Sequence, residues 1–340
     1  MSASLDIVSV GMVTAVGLDA PSSCAAMRAR LDGFRETRFV GPGGDWLIGA
    51  PVPLPRNWVG EKRLEHLAAG AISEAFASGE AARDQTALLL CLAEEGRIGS
   101  PVRDSSRFMR AIAKILEFEP HIASRIITHG RPSGHVALDH ARKLIASGAV
   151  SNVMIVGVDS YLSTLAVGHH LRQNRLLTAD NANGFIPGEA AAAVLCARSS
   201  NGSLSLFGLG LARDPAPINN PRDLPLRGDG MASAYRLALD ETGIGLNRVG
   251  YRIADLIGEQ YWFKQTTLAS LRLERDATGF QDLWSPAESL GNVGAAVVPL
   301  MIGMAYFAAR KGYAAGNPVL IEASGDDGAC GAAIVSARAA

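Results

Sequence analysis

Thr128-His129-Gly130-Arg131-Pro132-Ser133-Gly134 stands where a strand hands a side chain to the first turn of a helix, a place from which a nucleophile can reach a substrate. It holds no cysteine. Arg131 is permanently protonated and cannot attack a carbonyl, so its chemistry is limited to charge. It can meet an anion such as a carboxylate or phosphate at the helix N-terminus, where the dipole favours negative charge. The other reading is a structural cation paired with Glu259 or Asp159, because a buried guanidinium needs a partner. Ser133 and His135 offer a hydroxyl and an imidazole, but residues two apart on a helix do not face each other, which argues against a hydrolytic pair. His169 and His170 are adjacent, so their rings diverge; they read as loop or surface residues and not as a shared metal site. Cys91 closes an apolar run with no histidine near it in sequence, and Cys24, Cys196 and Cys330 are equally scattered. No CxxC spacing links the four, which read as reduced core residues.

The elements that position Arg131 follow from periodicity. Ala123–Ile127 is short and strand-like, and Val136, Ala137, Ala141, Leu144 and Ile145 lay one apolar stripe on a helix. Gly148 is placed to end that helix as a left-handed cap. Asn152–Ser160 is an apolar run of the kind that forms a strand covered on both faces. Strand, turn, helix and strand make a βαβ unit. Elsewhere Leu64, Leu67, Ala68, Ala71, Ile72, Ala75 and Phe76 mark an amphipathic helix. Thr86–Leu92 predicts a strand, Ser105–Glu119 a helix, Met231–Glu241 a helix and Arg252–Ile257 a strand. Gly41–Pro55 reads as a loop, and Asp214–Arg227 as the longest irregular connection. The helix after Asn292 is apolar nearly all round and should be central, with Pro299 tolerated only in its first turn. Val319–Ala323 and Cys330–Ala337 bracket the turn Ser324-Gly325-Asp326-Asp327-Gly328.

In sequence order these segments resemble the thiolase and β-ketoacyl synthase superfamily. Ile7–Gly17 is similar to its opening strand and loop, and the Arg131 turn to its nucleophile elbow. Arg175–Thr178 with Asn183-Gly184-Phe185-Ile186-Pro187-Gly188-Glu189 resembles the family's "DGFVxGEG" segment, and Ser289–Ala296 its "IGHTLGAAG" helix entry. The Ser324–Gly328 turn resembles the family's "GFGG" loop without its phenylalanine. The resemblance implies an α/β thiolase-like fold: two similar βαβαβαββ halves in a five-layered αβαβα arrangement, assigned to residues 1–202 and 203–340 with the boundary at Gly202.

For the chemistry the resemblance implies a loss. Family members condense acyl groups with one cysteine and two histidines. The equivalent positions here are Arg131, Ile257 (in Asp255–Tyr261) and Asn292. A thiolate is needed because it is nucleophilic at neutral pH and leaves readily; where catalytic groups act as a unit, losing one can lower turnover on the order of 10⁶-fold. Three readings follow: a 3-oxoacyl carrier-protein synthase-like pseudoenzyme of fatty acid or polyketide biosynthesis, partnering an active synthase as a chain-length factor does; an acyl-thioester hydrolase or transferase with altered chemistry; or a module binding acyl carrier protein or coenzyme A. Candidate ligand contacts are Arg131, Ser133, Glu259, Asn292, Phe185 and Gly325. Glu189 is expected to tie loops together through backbone hydrogen bonds. The family implies a homodimer or heterodimer across the strand holding Ile126 and Ile127. No cofactor or metal is implied.

Composition excludes other classes. With 340 residues, 48% of them hydrophobic, the chain can bury an extensive core. Its 32 basic and 33 acidic side chains give a net charge of -1, which speaks against nucleic acid as a partner. The N-terminus lacks the pattern of a signal peptide, and no apolar run reaches the roughly 18 residues of a spanning helix, so a cytoplasmic location is expected.

Overall fold

The computed structural model describes residues 5–79, 83–198, 204–273 and 281–337. Gly202 and Ser203, the expected junction between halves, lie outside them.

The first half opens with β1 (Leu5–Val13) and α1 (Ala20–Arg28), whose N-terminus is capped by the Asp19 carboxylate accepting from the Ser22 amide at 2.7 Å. A hairpin follows, β2 (Arg35–Val40) and β3 (Trp46–Gly49). The loop expected over 41–55 therefore contains a strand. Its signal is short: only Leu47 and Gly49 turn inward, while Trp46 and Ile48 stay exposed. Helix α2 (Gly60–Ser78) buries the stripe read from its sequence, then come β4 (Thr86–Cys91), α3 (Ser105–Ile115), β5 (Arg125–Ile127), α4 (Ser133–Ala146), β6 (Asn152–Ser160), α5 (Thr164–Arg172) and β7 (Glu189–Arg198). Gly148, after α4, has φ +71°, as its capping position requires.

The second half runs β8 (Leu204–Arg213), α6 (Asp229–Thr242), β9 (Tyr251–Ala254), α7 (Gln260–Leu271), β10 (Asp282–Trp284), α8 (Ala287–Leu290), α9 (Val297–Lys311), β11 (Val319–Ser324) and β12 (Ala329–Ala337). Strand β9 stops three residues short of the expected Ile257. Pro299 is the third residue of α9, where a missing N–H costs no helical bond.

Ten strands are hydrogen-bonded in the order β10-β9-β11-β12-β8-β1-β7-β6-β4-β5, and the five of each half make one sheet layer. Each half contributes five with the same connectivity. In the first, β4 pairs in parallel with β5 and β6, and β6, β7 and β1 are antiparallel. In the second, β9 pairs in parallel with β10 and β11, and β11, β12 and β8 are antiparallel. A short β1–β8 pairing, Leu5–Ile7 against Leu204–Leu206, joins them. Helices α4 and α9 sit in the middle, with Leu138, Ala141, Val297, Leu300 and Met301 in one core cluster with residues of both sheets. Leu67 and Ile72 of α2 cover the outer face of the first sheet, and Ala234 and Tyr235 of α6 that of the second. The layers are thus αβαβα. Strand β5 lies at one end of the sheet, with Arg125 exposed and Ile126 half-buried. Among the described residues no helix is long and apolar enough to cross a membrane.

Candidate functional site at the elbow

The turn between β5 and α4 is built by the backbone. Gly130 has φ +61°, and a Cβ there would meet the Glu94 carboxylate at 2.3 Å, so both conformation and space call for glycine. The Gly130 amide donates to the Leu92 carbonyl at 3.1 Å, and the His129 amide to the Ser133 hydroxyl at 2.9 Å. At the next turn Gly134 lets α4 approach α9, since a Cβ would stand 2.6 Å from that of Val298. These contacts aim Arg131 at the seam between the two halves.

Arg131 is buried at 3% exposure. Its Nη1 donates to Asp255 Oδ2 at 3.0 Å and its Nη2 to Asp326 Oδ1 at 3.3 Å, while the guanidinium carbon stands 3.8 Å from the centre of the Trp262 ring. The expected partners are corrected by this geometry. Asp159 instead holds Arg97 through two bonds and accepts from the Ala295 amide at 2.9 Å. Glu259 holds Arg175, with Nε–Oε1 at 2.7 Å and Nη2–Oε2 at 2.8 Å, and accepts from Trp262 Nε1 at 2.9 Å. Arg175 also donates to both oxygens of Asp326. Two guanidiniums and three carboxylates thus form one chain, Asp255–Arg131–Asp326–Arg175–Glu259. Despite burial, which pushes it up, the Asp326 carboxyl is held down at about 2 by Arg175 and Arg131. Burial raises the nearby Glu94 carboxyl.

The other candidate residues divide. Gly325 joins Arg131 at the elbow cavity, and Phe185 lies fully buried beside Arg175, 5.7 Å from ring centre to guanidinium carbon. Ile257 does not reach Arg131: it packs with Leu256 and Trp262 in an apolar cluster. The residue of that segment that does is Asp255, the first beyond β9. Asn292 is buried and turned to its own loop, its Oδ1 accepting from the Gly294 amide at 3.0 Å. Ser133 and His135 are not paired. The serine accepts at the turn and approaches the Leu92 and Ile127 carbonyls at 3.4 Å, and His135 Nε2 lies 3.1 Å from the Ile321 carbonyl. Burial lowers His135 to about 4.

The loop or surface reading of His169 and His170 fails: both lie on α5, and His170 is buried against Tyr161 and Phe185, its ring nitrogens without partners among the described residues. Burial, then Arg175, lowers it to about 3. All four cysteines are buried, and burial with Glu74 raises Cys24 to about 12, so none is poised as a thiolate. Glu189 plays its expected part: Oε1 accepts from the Val52 amide at 2.9 Å and from Arg63 Nε at 2.8 Å, and Oε2 from the Ser160 hydroxyl at 3.2 Å. Among the described residues no group of three or more His, Cys, Asp or Glu is placed to hold a metal.

The cavity bounded by Glu94, His129, Arg131, Tyr161, Gly325 and Asp326 measures about 10 Å³, room for at most one water. The family described as beta-ketoacyl synthase, N-terminal domain, matches residues 131–201, beginning at Arg131 itself. The ishigamide ketosynthase/chain length factor superposes with a TM-score of 0.83 at 17% identity over 100% of both chains. The chain has the fold of these ketosynthase structures. A ketosynthase in complex with its chain length factor from Xenorhabdus doucetiae gives 0.77 at 14% identity, covering 99% of this chain and 98% of that one. A beta-ketoacyl synthase from Burkholderia phymatum STM815 gives 0.77 at 16%, covering 99% and 100%. No curated relative matches the sequence. Asp255, Asp326, Arg175 and Trp262 are the elbow residues that sequence reasoning did not single out as a group. Three of them stood inside segments already marked by the resemblance; Trp262 had no such signal.

Proposed function

We propose that this chain is a non-condensing ketosynthase homologue that serves as the partner subunit of a cysteine-bearing synthase, in the manner of a chain length factor. One observation carries this reading: the side chain at the elbow is a buried guanidinium held by two carboxylates and an aromatic ring, over a cavity of about 10 Å³. An acyl chain has no room there, and an ion pair supplies neither a nucleophile nor a leaving group. That some of the similar structures are ketosynthases paired with chain length factors supports the pairing, and the β5 edge, with Ile126 and Ile127, is the surface assigned to it. Acyl carrier protein reaches the synthase subunit of such a pair, and the cytoplasm is its place of action. Residues 1–202 and 203–340 are the two halves of one subunit.

The test is co-expression with a cysteine-containing ketosynthase encoded beside it. The expected result is a stoichiometric complex in which acyl label appears on the cysteine-bearing chain alone. A covalent acyl adduct on this chain, together with a lengthened product made by it in isolation, overturns the proposal.

A further inference from the structure

We infer that Arg131 and Arg175 form a carboxylate-binding site, and that the side chain of Asp326 is its built-in occupant. The charge arrangement separates Asp326 from the other two acids. Arg131 already has Asp255 at 3.0 Å, and Arg175 is gripped by both oxygens of Glu259 at 2.7 and 2.8 Å. Each guanidinium is therefore neutralised by a carboxylate from the β9–α7 segment. Both still have N–H groups directed to one common point, and the Asp326 carboxylate sits there, accepting from Arg131 Nη2 and from both Nη atoms of Arg175.

Exposure makes the same distinction. The side chains of Asp255 and Glu259 are 2% and 5% exposed, those of Arg131 and Arg175 are 3% and 8%, and that of Asp326 is 25%. Asp326 reaches inward from solvent at the tip of the β11–β12 hairpin, between Gly325 and Gly328, the latter at φ +87°. Rotation of one side chain uncovers the paired guanidiniums without moving a helix. What remains is a partly desolvated fork of planar donors backed by the rings of Trp262 and Phe185, the arrangement that selects planar carboxylates over spherical anions. The cavity of about 10 Å³ beside it is lined by Arg131 and Asp326. The inference is independent of whether the chain condenses acyl groups.

Chemical rescue tests it, with formate as probe. Asp326→Ala removes a carboxyl group of formate's size and shape. The melting temperature of the full-length variant is expected to rise by roughly 2 °C at a formate concentration about ten times its Kd, relative to chloride at equal ionic strength. Wild type, Asp326→Asn, which keeps the volume filled, and the double variant Asp326→Ala with Arg175→Met should show no such difference. If Asp326→Ala folds poorly, its refolding yield is read instead, and formate but not chloride should raise it. A formate effect of the same size in wild type or in the double variant, or none in Asp326→Ala by either readout, overturns the inference.

Discussion

Two of the arginine–carboxylate clusters among the described residues differ in how they meet solvent. In the elbow cluster, Arg131 and Arg175 are joined by Asp326, a carboxylate from a hairpin tip whose side chain is 25% exposed. In the second, Arg252 of β9 meets side chains of the second half: Nη1 donates to Ser270 at 2.7 Å, and Nη2 meets Tyr235 and Thr266 at 2.7 Å and both oxygens of Glu322 at 3.0 Å. Glu322 is 2% exposed. The elbow cluster spans the seam between halves and uses flat aromatic faces; the second is surrounded by hydroxyls within a single half. The difference separates a site that can open from a cross-brace that holds β9 and β11 to α6 and α7.

The largest effect is expected at the brace. Glu322→Ala removes a buried carboxylate that accepts from the Arg252 guanidinium and should cost about 3 kcal/mol in urea unfolding, whereas Glu322→Gln, still an acceptor, should cost less. A loss below about 1 kcal/mol for Glu322→Ala would erase the proposed contrast. Next comes Arg131→Cys, which restores sulfur to the elbow and strips Asp255 of its partner. It should lose about 3 kcal/mol, and mass spectrometry after incubation with acyl thioesters should find no acyl adduct on residue 131, because Asp255 and Asp326 disfavour a thiolate. An adduct would show that the elbow needs only sulfur to react.

How the brace and the elbow differed in legibility follows from the residues involved. The β strands were readable because apolar runs such as Asn152–Ser160 and Cys330–Ala337 are covered on both faces and carry few polar interruptions. The turn at Arg131 was readable because Gly130 and Gly134 answer to close backbone approaches that few other residues satisfy. Partners of Arg131 were not. They come from residues 124 and 195 positions away, where a shift of two residues, from Ile257 to Asp255, separates a core side chain from a ligand of the guanidinium. The resemblance singled out Ile257 by its place before Gly258, whereas Asp255, just beyond β9, carries the charge that a guanidinium needs. His170 misled for another reason: α5 turns it inward against the rings of Tyr161 and Phe185, contacts that come from distant segments.

That inward histidine gives a smaller, pH-dependent effect. The folded protein holds His170 near 3 and His135 near 4, both below the ordinary value of about 6.5, so the folded state prefers the neutral rings. Their contribution is complete above about pH 6.5 and is lost as the pH falls toward 4 and 3, because the unfolded chain takes up protons first. Asp326 acts in a lower window: its carboxyl is held at about 2, so it stabilises above about pH 4 and this is lost as the pH falls through 2. His170→Phe should stabilise by about 1–2 kcal/mol at pH 7, since neither ring nitrogen has a partner among the described residues, and should flatten the decline between pH 6.5 and 4. An unchanged decline would assign that limb to other groups.

The smallest effect is expected one residue beyond the elbow aspartate. Asp327 meets Arg213 at 2.8 Å, a geometry as good as several of the buried pairs, but the two side chains are 50% and 62% exposed. Water screens both charges before and after the pair forms, and holding two flexible side chains in register offsets most of what attraction remains. Arg213→Ala should therefore change stability by no more than about 0.5 kcal/mol, in the same hairpin where Asp326→Ala removes a contact to two buried guanidiniums. Comparing the two variants by urea unfolding contrasts an exposed ion pair with a buried one at neighbouring aspartates of one turn. Equal losses would mean that the hairpin responds as a unit and that burial of the guanidiniums confers nothing special on Asp326.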